Sequence, residues 1–270
     1  MQQTINALHL VHSEIPDWAE LICLKKGISL NIIASPLLGG GIQGKSYNLD
    51  INLKEGKIVV KERNESICLP KSCPERHINH DGTFCIGLNS GKNILNKNDA
   101  FIWWKDLKEF LNCQHYANKR RSWPRGKWLS HGNEAATHHL AIEKIAEKIG
   151  WQEEVIDALE YKIGWLGGNL PKLIKDSKKL LNQKSPCPRG CYTKKGYSKK
   201  PSCICNHSEK ANQYGTHKPV TRRRCPNLEV VSQLIWHETQ RRQAEKEFWN
   251  SFKNEKCCGT MNNCPLNNNI

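Results

Sequence analysis

The sequence predicts an α+β protein: an antiparallel β-meander flanked by helices, followed by a helical, cysteine-rich extension. Three observations carry this expectation. Short stretches of alternating apolar and polar residues lie in the first quarter of the chain, separated by turn residues. Longer stretches with apolar residues at helical spacing come before and after them. Past Ser185 the chain becomes lysine-, arginine- and cysteine-rich, with little apolar material to fold around unless a metal supplies the core.

From Ala7 to Lys25, Leu8, Leu10, Val11, Ile15, Trp18, Leu21 and Ile22 fall at helical spacing, with Pro16 predicted to break the segment or to begin a second helix. Gly27 ends that pattern, and Ser29–Ala34 reads as a strand stopped by Pro36. Gly39-Gly40-Gly41 is a connection. Tyr47–Leu53 alternates, Lys54-Glu55-Gly56 supplies a turn, and Lys57–Val60 returns, which defines a hairpin. Residues 67–89 are irregular. Asn98–Lys119 is a predicted helix with Phe101, Trp104, Leu107 and Leu111 as its core stripe. A tryptophan-rich segment, Trp123–Gly132, leads to helices over Asn133–Lys148, closed by Gly150, and over Gln152–Trp165. A last amphipathic helix spans Leu228–Lys253. These elements suggest a first domain over 1–167, a linker over 168–184, a basic cysteine-rich region with one helix over 185–264, and a disordered asparagine-rich tail over 265–270.

Charged residues make up 25% of the 270 residues and apolar residues 38%, values of a folded globular chain. No apolar run approaches the ~20 residues that span a bilayer. The start of the chain lacks a basic stretch followed by an apolar one, so the expectation is a cytoplasmic protein without membrane partners. The net charge is +15, and between Ser185 and Cys225 ten lysines or arginines face a single acid, Glu209. Such a patch attracts nucleic acid or an acidic protein surface, or it is simply a solvated loop; a protein partner is favoured over nucleic acid.

Thirteen cysteines need an account, because disulfides seldom persist in a reducing cell. Eight of them, Cys187, Cys191, Cys203, Cys205, Cys225, Cys257, Cys258 and Cys264, lie in the last 84 residues. Cys187-x3-Cys191 and Cys203-x-Cys205 have the look of two ligand pairs brought together around a tetrahedral zinc ion, with Cys225, His207 and His217 as substitutes. Cys257, Cys258 and Cys264 are three further thiols past the last helix, and an earlier ligand would complete their set. Structural zinc is the expected cofactor; unligated or redox-active thiols and disulfides are the alternatives.

The stretch Pro74 to Leu88 is the most informative about chemistry. It offers His77, Asn79 and Cys85 around an Asp81-Gly82 turn that brings Asn79 back toward Cys85. A cysteine thiolate exchanges acyl groups with little activation. A nearby amide can donate to the oxyanion that forms when an amine attacks a thioester, and losing one such donor costs ~3–4 kcal/mol of transition-state stabilisation. By spacing alone Cys85 reads by default as a small core residue beside Phe84 and Ile86. His80 and Asp81 are near enough to orient or deprotonate an incoming lysine, or to serve the turn alone. Cys68 and Cys73 lack this context and are read as structural.

The segment resembles the active-site stretch of the ubiquitin-conjugating E2 superfamily, in which a His-x-Asn triplet precedes a turn and a Gly-x-aromatic-Cys-aliphatic block. Here these are His77-Ile78-Asn79 and Gly82-Thr83-Phe84-Cys85-Ile86, with strands upstream and a Trp103-Trp104 helix downstream. Ile78 replaces the proline of eukaryotic members and the Asn79-to-Cys85 interval is shorter than theirs; both features suit the divergent bacterial branch. The resemblance implies the ubiquitin-conjugating fold and Cys85 as a thioester-forming nucleophile. It implies Asn79 supporting the oxyanion or the local backbone, a mainly structural His77, and His131 as a second polar group over the site, although a loop histidine satisfied by backbone fits His131 equally. It also implies partners: a ubiquitin-like modifier or another protein's C-terminus, an E1-like activating enzyme, or a CD-NTase-type nucleotidyltransferase in bacterial antiphage conjugation. A silent E2-like scaffold whose basic zinc region binds a partner, and a cysteine hydrolase using His77 or His131 as base, are the competing readings.

Overall fold

The structure is a computed structural model, and it describes residues 2–25, 29–42, 44–64, 68–181, 185–186, 220–221 and 228–269. The chain divides into two compact units, Met1–Lys127 with Trp249–Ile270, and Trp128–Phe248.

The first unit is α+β. Helix α1 (Gln2–Ser13) precedes four strands, β1 (Ala19–Lys25), β2 (Ser29–Ala34), β3 (Tyr47–Lys54) and β4 (Lys57–Glu62), paired antiparallel in chain order. Period-two alternation decides their faces. In β2 and β3 the register sets Leu30 against Ile51, Ile32 against Leu49 and Ala34 against Tyr47; in β3 and β4 it sets Ile51 against Val60. All of these are buried, and helix α2 (Lys97–Arg120) covers them with Trp103, Trp104, Leu107, Phe110 and Leu111. A capping box starts α2: Asn96 Oδ1 accepts from the Asp99 amide, and Asp99 Oδ2 accepts from the Asn96 amide. The Trp104 indole donates to the Val11 carbonyl at 2.9 Å, tying α1 to α2.

Several local expectations change. Phe101, expected on the core stripe of α2, is exposed, and Trp103 takes the buried place beside Trp104. Ala19–Lys25, read as helical from its apolar spacing, is the edge strand β1, with a register irregularity between Leu21 and Cys23. Pro16 leaves too few residues for a stable isolated helix, and β2 offers a complete ladder of partners. Pro265–Asn269, expected as disordered, is a 3-10 turn in which Leu266 is buried and Asn267 donates to the Met261 carbonyl.

The second unit contains α3 (Asn133–Ile149), α4 (Gln152–Tyr161), a single turn α5 (Gly164–Gly167) and most of α6 (Leu228–Ser251). Gly150 closes α3 in the left-handed conformation. The expected helix over 152–165 ends earlier, because Lys162 turns left-handed and Gly164 begins α5. Leu166 and Leu180 pack in one core with Ile142, Trp151, Val155, Val231 and Leu234. Leu170, Leu173 and Leu180 of the expected 168–184 linker therefore belong to a folded core, and the compact units part at 127/128 and 248/249. Among the described residues, no helix is long and apolar enough to cross a membrane.

Candidate active site and thiol cluster

The His77–Cys85 stretch folds as a small hairpin along β4. Ile78 bridges Phe84, the Asn79 amide donates to the Thr83 carbonyl at 2.8 Å, and the Cys85 amide donates to the His77 carbonyl at 2.8 Å. The Gly82 amide closes the turn on the Asn79 carbonyl, with Gly82 at a φ of +79° that favours glycine. The Phe84 amide donates to the Val60 carbonyl, which docks the hairpin on the sheet. Alternation then sorts the side chains. Ile78 and Phe84 enter the core, where Phe84 stacks on Phe110 at 4.7 Å between centroids. Asn79, Thr83 and Cys85 take the other face, with Asn79 and Cys85 at diagonal positions roughly 7 Å apart by strand geometry.

Cys85 is half-buried. Burial pushes its thiol above the ordinary cysteine value, against smaller opposing pulls from Lys57 and from the Gly87 amide that donates to the sulfur. The thiol is thus mostly protonated at neutral pH, unlike a pre-ionised protease cysteine. Asn79 donates its side-chain amide to Thr83 Oγ1 at 3.0 Å, and Thr83 Oγ1 donates to Asp81 Oδ1 at 2.6 Å. In this state Asn79 braces the turn. His77 is left-handed and buried against Trp123, with ring centroids 5.2 Å apart. His80 is exposed, 3.8 Å from Glu255. Asp81 bonds Thr83 and Lys54; burial nudges its pKa up, but those bonds outweigh it and hold the carboxyl below the ordinary value.

One residue escaped the sequence reading. A β-carbon added at Gly87 would sit 3.7 Å from Asp106 Oδ2, so this carboxylate from α2 lies beside the backbone that donates to the Cys85 sulfur. Burial raises the Asp106 pKa, countered in part by a bond to Ser90. Its one clue was position: Asp106 follows Trp103 by three residues on the stripe that faces the core. The loop beyond Cys85 is held by close backbone approach. The Ile58 amide donates to the Gly91 carbonyl, and a β-carbon at Gly91 would lie 2.1 Å from the Ile58 carbonyl oxygen.

His131 belongs to the second unit. There it is buried, its Nδ1 3.1 Å from Glu245 Oε1, and it stacks on Phe248. Arg241, fully buried on α6, bonds Glu238 through both carboxylate oxygens, donates to Ser130 Oγ at 2.9 Å and reaches Glu245. Burial works against the Glu245 charge, but the bond to His131 and the Arg241 charge prevail and hold its pKa at about 2.

Of the expected metal ligands, Cys187, Cys191, Cys203, Cys205 and Cys225 lie outside the described residues, as do His207 and His217. The remaining three fall in the first unit, where Cys257, Cys258 and Cys264 gather with buried Cys73, Met261 and Leu266. Cys258 Sγ is 2.7 Å from Cys73 Sγ, and Cys264 contacts Cys257. The shared contact and burial push the Cys73 thiol far up, while the same contact pulls Cys258 down to about 5. The thiols meet as two pairs, and among the described residues no three His, Cys, Asp or Glu side chains already converge on one point at metal distance. A soft four-sulfur donor set of this kind fits zinc.

An antiparallel meander covered by helices, with a cysteine hairpin along its last strand, has the architecture of an E2-like domain. The family described as Prokaryotic E2 domain matches residues 32–125, and the family described as Cysteine-rich domain, C-terminal to E2 domain, matches residues 130–266. The chain belongs to this family of prokaryotic E2-like proteins with a cysteine-rich extension. No curated protein and no solved structure matches it.

Proposed function

We propose that the protein is an acyl carrier in which Cys85 holds the C-terminus of a ubiquitin-like protein, or of another protein, as a thioester and passes it to an amine. The observation that carries this reading is a half-buried sulfur that receives the Gly87 amide and shares a hairpin face with Asn79. In loading, the Cys85 sulfur bonds the acyl carbon of an activated donor, an E1-like enzyme's thioester for example, and the donor thiol leaves with the proton. In transfer, an amine attacks that carbon, the C–N bond forms, the C–S bond breaks and Cys85 departs as thiolate. The proton shed by the amine goes to Asp106, a carboxylate whose raised pKa suits it as a base. Asn79 holds the turn before attack and, released from Thr83, donates to the oxyanion. His77 keeps a structural place against Trp123.

The same reading places the protein in a bacterial antiphage conjugation system, as its resemblance to divergent bacterial E2-like proteins implies, with the acyl group coming from a modifier or from a CD-NTase-type nucleotidyltransferase. Zinc bound by the cysteine-rich region is part of the same reading. The test is incubation with the products of neighbouring genes and a non-reducing gel. A thiol-sensitive adduct lost in Cys85→Ala and kept in Cys225→Ala supports the proposal; an adduct indifferent to Cys85→Ala rejects it. A silent scaffold would form no adduct at all.

A further inference from the structure

A buried cysteine of the E2-like unit, four residues before His77, sits among three cysteines from the end of the chain. Cys73 is 1% exposed and its sulfur is 2.7 Å from that of Cys258, which is 185 positions away in sequence. Cys264 is 3% exposed and contacts Cys257, and its charge is felt at Cys73, so the two sulfur pairs adjoin.

Two further features go beyond packing. The Cys257 sulfur accepts the Gly259 amide at 3.2 Å, and the Cys258 sulfur lies 3.0 Å from the Thr260 hydroxyl. An amide aimed at sulfur stabilises the thiolate, which an inert core thiol does not need. The second feature is Arg76. It is 1% exposed, and its guanidinium donates to amide oxygens: the Gln114 side chain at 2.8 Å, the Gln114 backbone at 3.2 Å and Asn118 at 2.8 Å. All three acceptors are neutral. A buried cation is costly unless anions offset it. Its charge is felt first by Cys73 and Cys258, and Glu62 is a smaller neighbour. Four thiolates around a divalent cation carry a net charge of about −2, which complements the Arg76 charge.

We propose that Cys73, Cys257, Cys258 and Cys264 form a four-thiolate site for a divalent thiophilic ion, zinc by its ligand chemistry. Binding draws the two sulfur pairs together around the ion, and each thiol that ionises releases its proton to solvent. The site pins residues 257–264 beneath the turn Pro74–Arg76. Arg121 already clamps that stretch from the end of α2 through Asn262 at 2.9 Å and the Gly259 carbonyl at 2.8 Å. The Cys73 backbone exchanges two bonds with Ile78, both 3.0 Å, so the ion anchors the base of the Cys85 hairpin. The proposal stands independently of acyl transfer at Cys85.

The experiment is elemental analysis of the full chain purified under reducing conditions, wild type beside Cys73→Ser and Cys68→Ser. Zinc falls by one equivalent in Cys73→Ser and is unchanged in Cys68→Ser. Equal zinc in wild type and Cys73→Ser overturns the proposal, as does non-reducing peptide mapping that places a Cys73–Cys258 disulfide in the wild type. Because Cys73→Ser can unfold, the cadmium-substituted wild type supplies a second reading by NMR. Correlations from one cadmium nucleus to the β-protons of all four cysteines support the site, and a cadmium spectrum without Cys73 contradicts it.

Discussion

Cys85 and Cys73 lie twelve positions apart in the same unit, yet their surroundings prescribe opposite behaviour. Cys85 stands half-buried at the end of a hairpin, with one amide on its sulfur and a carboxylate beyond that amide. Cys73 is sealed beneath a 3-10 turn, against a second sulfur and near a buried arginine. The first setting leaves a sulfur free to form and break a bond to carbon. The second commits its sulfur to neighbours. Exposure and partner count, rather than the residue type, separate a reactive thiol from a structural one.

The comparison can be broken most forcefully through the packing that holds the hairpin. Phe84→Ala removes the stack on Phe110 and should cost about 4 kcal/mol of stability, as large-to-small core changes of aromatic residues do. Chemical denaturation measures this, and the account expects adduct formation to suffer while zinc content stays at the wild-type level. Next in size is Asp106→Asn. Loading of Cys85 should persist, whereas transfer to an amine should slow by about 10²-fold, the scale of a lost general base. Single-turnover discharge of pre-formed adduct reads the two steps separately, and equal slowing of both would remove Asp106 from the mechanism.

The smallest effect is one of pH. Because burial raises the Cys85 pKa above the ordinary cysteine value, the thiolate fraction grows about tenfold per pH unit through neutrality and goes on growing in the alkaline range. Iodoacetamide labelling of Cys85, followed by peptide mapping, should climb over that whole range. Cys73 should remain unlabelled at every pH that leaves the protein folded. A Cys85 rate that levels off near pH 7 would mean a pre-ionised thiol and a different kind of catalyst.

Much of the first unit was legible in the sequence because its signals are local. Tyr47–Leu53 alternates in sequence and buries the same residues in space, and Glu55-Gly56 turns with positive φ as the hairpin demands. Trp104, Leu107 and Leu111 of the α2 stripe can be read within a few turns of helix, whereas Phe101, expected beside them, is exposed. The hairpin at Asp81-Gly82 was equally local, and it sets Asn79 and Cys85 on one face. What stayed hidden depends on distant partners. Leu21 and Ile22 fit helical spacing as well as an edge strand, and pairing with β2 settles the choice. Asp106 reaches Gly87 only because α2 lies across the sheet. Cys73 looked like an isolated core thiol, since the residues that explain it, Cys257, Cys258 and Cys264, come 184 to 191 positions later.

The most direct measurement is the chemical location of the acyl bond. Adduct formed with the natural donor is stopped in acid without reductant, digested and mapped by mass spectrometry, with hydroxylamine cleavage as the mark of a thioester. The account predicts a hydroxylamine-labile acyl group on the peptide that contains Cys85, replaced by a hydroxylamine-resistant oxyester in Cys85→Ser. An acyl group found on any other cysteine, with the Cys85 peptide unmodified, would contradict it.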